Sequence, residues 1–450
     1  MKVLKFGGSS IKDASVMKRV AEILNAYTEP TIVVLSATGG TTDMLLQAIQ
    51  MASEGKMDDA LAVKQALEDK HFSIMQAFGL EVNEALHQKI ADYLAKLEIF
   101  LIGINYIREA TPRTCDAVIA HGELISTTIF NAYLRSLDKK SHWFDVRQVM
   151  RTDNQFGSAS VMKNELKRLT HDQLIPLLQK YDIIVTQGFI GSTADGLTTT
   201  LGRGGSDYSA ALLGNAMNAD EIEIWTDVSG VMTADPNIVK DAFTQHDLSF
   251  QEAAELAFFG AKVLHPSTLL PAMERDIPVI VKNTFDPENP GTVITAKSQR
   301  PGICKAISAK GKTMILTVES TRMLLAYGFL EKIFEVFARY KVAVDLVSTS
   351  EISVSLTIHK KQFTQEIVDD LSQFSNVKIS DDMAIIALVG DNIKTNINFL
   401  NRVFTALTGI TIEMITFGTS NVNLSLVIPE SQMVTCVERL HNKFFKNNNG

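Results

Sequence analysis

Residues 182–213 read DIIVTQGFIGSTADGLTTTLGRGGSDYSAALL, and this stretch decides the fold class. The apolar run at 183–185 predicts a buried strand, which ends at a glycine turn. A loop rich in threonine and glycine follows, and the apolar residues beyond Ser206 predict a helix. The same order of strand and glycine turn occurs from Lys2 and from Thr31, so the chain predicts an α/β domain.

The composition excludes several classes of protein. The chain has 450 residues, of which 46% are hydrophobic and 21% charged, as is usual for a globular protein of two or three domains. A net charge of −8, without a cluster of lysine and arginine, predicts no nucleic-acid partner. Cys115, Cys304 and Cys436 lie far apart without CxxC spacing, which predicts buried free thiols instead of a disulfide framework or a zinc site.

The apolar runs also bear on location. None approaches the roughly 20 residues that a membrane helix needs, so we expect no membrane partner. The first ten residues lack the apolar core of a secretory signal. We therefore expect a cytoplasmic protein.

The chain changes character near residues 283–301, where prolines and glycines replace the apolar runs. We place a domain boundary there, between 1–295 and 296–450. The second part contains an internal repeat, about 313–382 and about 383–450, and each copy predicts the order βαββα. In the first part, residues 51–108 predict a helical insertion without evident chemistry, from apolar residues at Val82, Leu86, Ile90, Tyr93, Leu94 and Leu97.

Two glycine-rich motifs could bind anions. Lys5 and the glycines Gly7 and Gly8 follow the first predicted strand, where bare backbone can approach phosphate oxygens and a lysine can neutralise them. In GRGGSD, residues 202–207, Arg203 stands among glycines just before a helix whose positive end would face an anion. The alternatives are a plain turn for the first motif and a surface loop for the second.

Three further motifs carry polar residues at the ends of predicted elements. HGELIS, residues 121–126, places Glu123 at the start of an apolar helix, where it could pair with an ammonium group or be solvated. WTDVSG, residues 225–230, follows a predicted strand and could meet a nucleotide or form a turn. FGAKVLHP, residues 259–266, adds Lys262 as a second candidate cation.

Taken together and in this order, these five motifs resemble the aspartokinases, and the resemblance covers essentially the whole chain. It is to the monofunctional, lysine-sensitive class. The resemblance implies the amino-acid kinase fold, a central mostly parallel sheet with helices on both faces, followed by two α+β ACT modules of ferredoxin-like topology. It also implies ATP-dependent phosphorylation of the side-chain carboxylate of L-aspartate to 4-phospho-L-aspartate, with Mg²⁺. This reaction is the first step of lysine, threonine and methionine biosynthesis.

The resemblance also implies roles for individual residues in catalysis. Lys5, Gly7 and Gly8 would hold the transferring phosphoryl group, and Asp207 would orient Lys5. The residues implied for aspartate are Arg203 for its α-carboxylate, Glu123 for its ammonium group, and Thr42 and Ser206 for alignment of the β-carboxylate. The residues implied for the nucleotide are Lys5, Gly7, Gly8, Ser9, Thr226, Asp227, Met232, Asn237 and Lys262. Met232 and Asn237 stand where many relatives have a tyrosine and an arginine. The Mg²⁺ ligands are left open.

In the regulatory half the resemblance implies a lysine effector. The matching residues are Met323, Phe329, Leu330, Val344, Asp345, Thr349, Ser350 and Glu351. Ala326 and Ala343 stand where serine is usual in the lysine-sensitive class. The resemblance further implies that a strand at 303–309 completes the second ACT module, and that the modules pair in a homodimer, which could pair again into a tetramer.

Two other readings of the sequence were weighed. Kinases of N-acetylglutamate or glutamate share the fold, but they lack the paired ACT repeats and the combination of HGELIS with GRGGSDYS. A catalytically inactive amino-acid sensor would use the ACT modules alone. The presence of Lys5, Glu123, Arg203 and Asp207 together argues against the sensor.

Overall fold

The computed structural model describes residues 1–260, 264, 266–299, 304–320, 327–418 and 420–446. The chain divides into two compact units. The first comprises Met1–Val231, His246–Phe250 and the described part of Val263–Lys297. The second comprises Met232–Gln245 and the described parts of Gln251–Lys262 and Ser298–Gly450. The boundary at 295/296 between a catalytic and a regulatory domain stays a prediction.

The first unit is an α/β structure. Its elements are β1 Lys2–Phe6, α1 Ala14–Ile23, β2 Thr31–Leu35, α2 Thr41–Ser53, α3 Met57–Ala77, α4 Glu84–Ile107, α5 Pro112–Ile119, α6 His121–Ser136, β3 Ser141–Phe144, α7 Lys163–Gln173, α8 Ile175–Leu178, β4 Ile183–Gln187, β5 Ile190–Ser192, β6 Thr198–Thr200, α9 Gly205–Met217, β7 Glu221–Thr226, β8 Asp247–Ser249, α10 Phe250–Phe258, α11 Pro266–Met273, β9 Val279–Asn283 and β10 Thr292–Thr295. Helix α10 passes into the second unit after its first residue.

The main sheet of this unit has the order β3-β4-β2-β1-β7-β9-β10-β8 within the described residues. The pairs from β3 through β9 are parallel, and β10 is antiparallel to β9. Strands β2 and β4 are buried along their whole length, as expected for parallel strands covered by helices on both faces. The neighbouring strands β4, β2, β1 and β7 therefore end at one edge of the sheet, and the predicted residues Gly7, Gly8 and Thr42 follow the ends of β1 and β2.

The predicted helical insertion is present as α3 and α4, with the last three residues of α2 before them. Leu86, Ile90, Leu94 and Leu97 are buried on α4, as their spacing predicted. Val82 does not belong to this stripe: it precedes the helix and is 83% exposed. The helix begins after Asn83, whose side chain accepts a hydrogen bond from the Leu86 amide and so caps the first turn.

The second unit is built on an antiparallel sheet. Its elements are β11 Ala306–Glu319, α12 Phe329–Arg339, β12 Val344–Thr349, β13 Ser353–His359, α13 Gln365–Ser372, β14 Asn376–Val389, α14 Phe399–Ala406, β15 Met414–Phe417, β16 Asn423–Pro429 and α15 Met433–His441, together with α10 from Gln251. The sheet order is β12-β13-β11-β14-β16-β15 among the described residues. The predicted strands and helices of both repeats are therefore present.

Strands β11 and β14 run through both repeats. Residues 306–310 of β11 pair with residues 385–389 of β14, beside β16 of the second repeat. Residues 313–319 of β11 pair on one side with β13 of the first repeat and on the other with residues 376–383 of β14. The first repeat packs its core around Leu316, Ile333 and Leu356, and the second around residues that include Leu388 and Phe399. One continuous sheet thus joins two α+β modules.

The structure also bears on the cysteines and on membrane insertion. All three cysteines are free thiols, but only Cys436 is fully buried, whereas Cys115 and Cys304 are half-buried. No helix in the described part of the chain has the length and apolar character needed to cross a bilayer.

Candidate active site

One cavity in the first unit brings most of the predicted catalytic and substrate residues together. Its volume is about 630 Å³, and it lies at the carboxyl ends of β1 and β2. All of the predicted catalytic and aspartate-binding residues except Gly7 line it: Lys5, Gly8, Thr42, Glu123, Arg203, Ser206 and Asp207. Residues about 200 positions apart in the sequence therefore line the same cavity.

Lys5 and Asp207 form an ion pair inside this cavity. Lys5 is the penultimate residue of the central strand β1, and Asp207 lies in the first turn of α9, which begins at Gly205 where a start at Ser206 or Asp207 is predicted. The distance from Lys5 Nζ to Asp207 Oδ1 is 2.5 Å, and Lys5 is only 9% exposed. The carboxylate fixes the lysine chain, so the ammonium group is held ready for a ligand anion.

Glu123 is a buried carboxyl group with one oxygen unpaired. It lies in the first turn of α6 and is 3% exposed. Its Oε1 accepts a hydrogen bond of 3.1 Å from the Ala37 amide, and its Oε2 has no hydrogen-bond partner among the residues that the structure describes. Burial raises the pKa of Glu123 to about 8, and the Ala37 amide opposes that shift only in part. An unpaired buried acceptor that lines a cavity is suited to bind a cationic ligand group.

Arg203 lies in an exposed loop between β6 and α9. Among the described residues no carboxylate pairs with its guanidinium group, which is therefore available to a ligand. The end of β6, just before this loop, is held by Asp116, which the sequence analysis missed. Asp116 Oδ2 accepts hydrogen bonds of 2.9 Å from the amides of Gly157 and Thr200, and Oδ1 accepts one of 2.7 Å from the Thr200 hydroxyl. Nothing local in the sequence marks Asp116, because its partners lie about 40 and 84 positions away.

The predicted nucleotide residues are not among those that line the cavity, apart from Lys5 and Gly8. Thr226 ends β7, and its hydroxyl donates a hydrogen bond of 3.1 Å to Asp227 Oδ1. Ser9 lies in the turn after β1. Met232 and Asn237 belong to the second unit, where Asn237 donates to Asp235 through its backbone and side-chain nitrogens. Lys262 lies outside the described residues.

The predicted effector residues occupy the first α+β module of the second unit. Phe329 is buried in the module core, and Leu330 beside it is 43% exposed. Val344 begins β12, and Thr349, Ser350 and Glu351 are exposed at the β12–β13 turn, where Ser350 lines a cleft of about 740 Å³. Met323 lies outside the described residues.

Asp345 has a partner that the sequence analysis did not foresee. Lys310 of β11 places its Nζ atom 2.7 Å from Asp345 Oδ2, and the Asp345 side chain is only 7% exposed. The same ammonium group lies 5.7 Å from the centre of the Phe258 ring. The Lys310 ammonium group therefore already pairs with Asp345, the carboxylate predicted to bind the effector.

Comparison with known proteins adds to this geometry. The amino acid kinase family model matches residues 1–283, and an ACT domain model matches residues 386–444. Lysine-sensitive aspartokinase 3 of Escherichia coli is 38% identical over 99% of both chains. Aspartokinase 1, chloroplastic, of Arabidopsis thaliana is 38% identical over 99% of this chain and 80% of its own. The chain belongs to the aspartokinase family.

Two solved aspartokinase structures have the same fold. E. coli aspartokinase III in complex with aspartate and ADP, in its R-state, matches with a TM-score of 0.88, 37% identity and coverage of 99% of this chain and 100% of that one. The same enzyme in complex with lysine and aspartate, in its T-state, matches with a TM-score of 0.84 over 99% of each chain. The predicted family, fold and enzyme class are confirmed, and the inactive-sensor reading is not favoured.

Proposed function

We propose that this aspartokinase binds ATP and L-aspartate in the cavity of the first unit and transfers the γ-phosphoryl group to the aspartate β-carboxylate. The single observation that carries the assignment is the convergence of three ionisable groups in one cavity. The Lys5 ammonium group is fixed by Asp207, and within the described part of the chain Glu123 offers an oxygen without a partner and Arg203 has no carboxylate partner. The α-carboxylate of an amino acid needs a cationic partner, and its α-ammonium group needs an anionic one. The β-carboxylate of aspartate then points to the Lys5 ammonium group.

In this arrangement Arg203 binds the α-carboxylate through parallel hydrogen bonds, and Glu123 binds the α-ammonium group. Thr42 at the start of α2 and Ser206 at the start of α9 align the β-carboxylate. One β-carboxylate oxygen attacks the γ-phosphorus as the bond to the bridging oxygen of ADP breaks. The protein needs no nucleophile, because positioning and charge neutralisation supply most of the catalysis of phosphoryl transfer.

Lys5 and the turn after it act on the phosphoryl group. Gly8 exposes backbone at the end of the central strand, and the Lys5 ammonium group neutralises charge that moves onto the equatorial oxygens. The ion pair with Asp207 keeps the ammonium group in place during the transfer. Thr226 and Asp227 are proposed contacts of the rest of the nucleotide, and the nucleotide roles of Met232, Asn237 and Lys262 stay predictions.

Mg²⁺ fits the donor set of the cavity. No cluster of three or more carboxylate, histidine or cysteine side chains occurs among the described residues. Mg²⁺ bound with a nucleotide keeps several waters and takes only one or two carboxylates besides the phosphates, and Asp207 would supply such a carboxylate beside its ion pair with Lys5. When bound, the ion would neutralise charge on the phosphates.

Lysine is the proposed effector, bound at the first α+β module of the second unit. Asp345 offers a buried carboxylate to the ammonium group of the effector, provided that Lys310 is displaced. Effector binding then shifts an equilibrium between active and inhibited forms. A cytoplasmic location and a homodimer formed through the ACT modules stay predictions.

The function is tested with purified protein, ATP, Mg²⁺ and L-aspartate, with hydroxylamine present to trap the acyl phosphate. We expect aspartyl hydroxamate to form with L-aspartate, none with L-glutamate, and less when millimolar lysine is added. Absence of product with every acceptor would contradict the kinase assignment. Product that is indifferent to lysine would keep the kinase and contradict the effector.

A further inference from the structure

Helix α3 contacts the loop that forms one wall of the catalytic cavity. The loop, residues 36–40, joins β2 to α2, and all five of its residues together with Thr42 line the cavity. On its far side stand two consecutive residues of α3, Lys70 and His71. The insertion that contains α3 carried no evident chemistry in the sequence.

The hydrogen bonds between α3 and the loop form a series in which the donor and the acceptor of each bond can be assigned. His71 Nδ1 lies 2.7 Å from the Leu67 carbonyl oxygen, which can only accept, so Nδ1 carries the ring proton. Burial lowers the pKa of His71 to about 4, so the ring is neutral and Nε2 can only accept. The Thr38 hydroxyl, 3.2 Å away, therefore donates to His71 Nε2.

The remaining protons follow from that donor. Because the Thr38 proton points to His71, the Thr41 hydroxyl at 2.6 Å donates to Thr38 Oγ1. Thr41 Oγ1 in turn accepts from Lys70 Nζ at 3.1 Å, and the same ammonium group donates to the Gly39 carbonyl oxygen at 2.5 Å. Thr38 and Thr41 are each 1% exposed, so water does not replace these bonds. Only this assignment of protons satisfies every donor and acceptor in the series of hydrogen bonds.

The opposite side of the loop is packed against the proposed phosphoryl-binding turn. A side-chain carbon at Gly39 would lie 2.9 Å from Lys12 Cβ and 3.2 Å from the Gly8 carbonyl oxygen. Gly40, the N-cap residue of α2, has a φ of 77°, a conformation that favours glycine. Because glycine has no side chain, Gly40 cannot cap the start of α2 with a side-chain hydrogen bond. The conformation of the loop is therefore set by contacts from α3 and from the Gly8 turn.

We propose that His71 and Lys70 are positioning residues for catalysis: through Thr38, Thr41 and Gly39 they fix the loop and the start of α2, and so hold Thr42 where it meets the substrate carboxylate. This inference rests on the proposed function, because it names what aligns the proposed aspartate site. Neither residue touches the substrate. Loss of these hydrogen bonds should weaken aspartate binding more than nucleotide binding, because the loop forms the wall of the cavity where aspartate is proposed to bind.

Two substitutions of His71 separate positioning from packing. In His71→Gln the amide oxygen reaches the place of Nε2 and can accept from Thr38. In His71→Asn the shorter chain reaches only the place of Nδ1, so the bond to Leu67 is kept and the bond to Thr38 is lost. We expect His71→Asn to raise the KM for aspartate about ten-fold with the KM for ATP within two-fold, and His71→Gln to restore most of the parent value.

Lys70 gives a second, independent pair. Lys70→Met keeps the apolar stem and removes both donors, and we expect it to raise the aspartate KM, whereas Lys70→Arg should restore it in part. Gln76→Ala, an exposed change on the same helix, is the matched control and should change neither KM. If both His71 variants shift both KM values equally, in step with their melting temperatures, the residue only packs and the proposal is overturned.

A measurement without turnover keeps this inference separate from the proposed function. Amide hydrogen exchange of peptides that cover residues 36–45 should be faster in His71→Asn than in the parent and near the parent rate in His71→Gln. Equal exchange in all three proteins overturns the positioning role even if the kinase is active. Absence of kinase activity together with the expected exchange pattern would leave the loop mechanism standing and contradict the function.

Discussion

The protonation state of Glu123 should set the pH dependence of aspartate binding. Burial raises the pKa of this carboxyl group to about 8 in the free protein, so only about one molecule in eleven carries the charge at pH 7. If the ammonium group of aspartate binds the ionised form, the apparent KM is multiplied by about 11 at pH 7 and by about 1.3 at pH 8.5. The KM for aspartate should therefore fall about eight-fold across this range.

Glu123→Gln is the matched variant, since the amide oxygen can still accept from the Ala37 amide. Loss of a charge-assisted hydrogen bond worth about 1.5–3 kcal/mol should raise the aspartate KM about 10- to 100-fold at pH 8.5. At pH 7 the ratio of variant to parent should shrink about eight-fold, because the variant has no proton to lose. Initial rates of ADP formation at saturating ATP and varied aspartate measure both values.

The same carboxyl group should also link stability to pH. Its pKa is higher in the folded chain than the ordinary value of 4.5, so the folded state loses stability as pH rises from 4.5 towards about 8. Glu123→Gln lacks this loss, and its melting temperature without ligand should exceed that of the parent by a margin that grows with pH. A parent KM for aspartate that is equal at pH 7 and 8.5 would refute the reasoning. A slope that survives in the variant would belong to another group of the cavity.

Three further substitutions test other charges. Arg203→Ala should raise the KM for aspartate about 10- to 100-fold and leave the KM for ATP within about two-fold. An equal rise of both KM values in steady-state kinetics would contradict the proposed contact between Arg203 and the α-carboxylate. Asp207→Asn should lower kcat about 100-fold because Lys5 loses its fixed partner; a kcat near that of the parent would show that the ion pair is dispensable. Lys310→Ala should lower the lysine concentration for half inhibition, because the effector no longer competes for Asp345; inhibition curves that coincide with the parent would contradict this.

The order of motifs gave the family and most of the cavity, because strand ends in a parallel sheet meet at one edge. Lys5, Glu123 and Asp207 each follow or begin an element whose apolar pattern is local, so their neighbourhood could be inferred. Asp116, His71 and Lys310 could not be found in this way. Their partners lie on other elements, and a lone polar residue in a local pattern looks the same whether it is solvated or buried.

The same limit applies to the division of the chain. Ala234 and Val239, which precede the predicted boundary, pack in the core of the second α+β module with Leu388 and Phe399. A change of composition marks where a linker runs, but it carries no information about a segment that leaves one core for another. A truncation after residue 295 would therefore leave Ala234 and Val239 without their core.

The position of Lys310 would give the proposed effector a physical means to act beyond its own site. Lys310 pairs with Ile385 at the last position before the register of β11 against β14 shifts. An effector can move a two-state equilibrium only through contacts that differ between the states, and displacement of Lys310 from Asp345 is such a difference. The same ammonium group lies beside the Phe258 ring on α10, and the carbonyl oxygen of Phe259 accepts a hydrogen bond of 2.7 Å from the Ser308 hydroxyl of β11. A ligand at Asp345 therefore acts on the strand shared by both modules, at the point where that strand passes from one to the other.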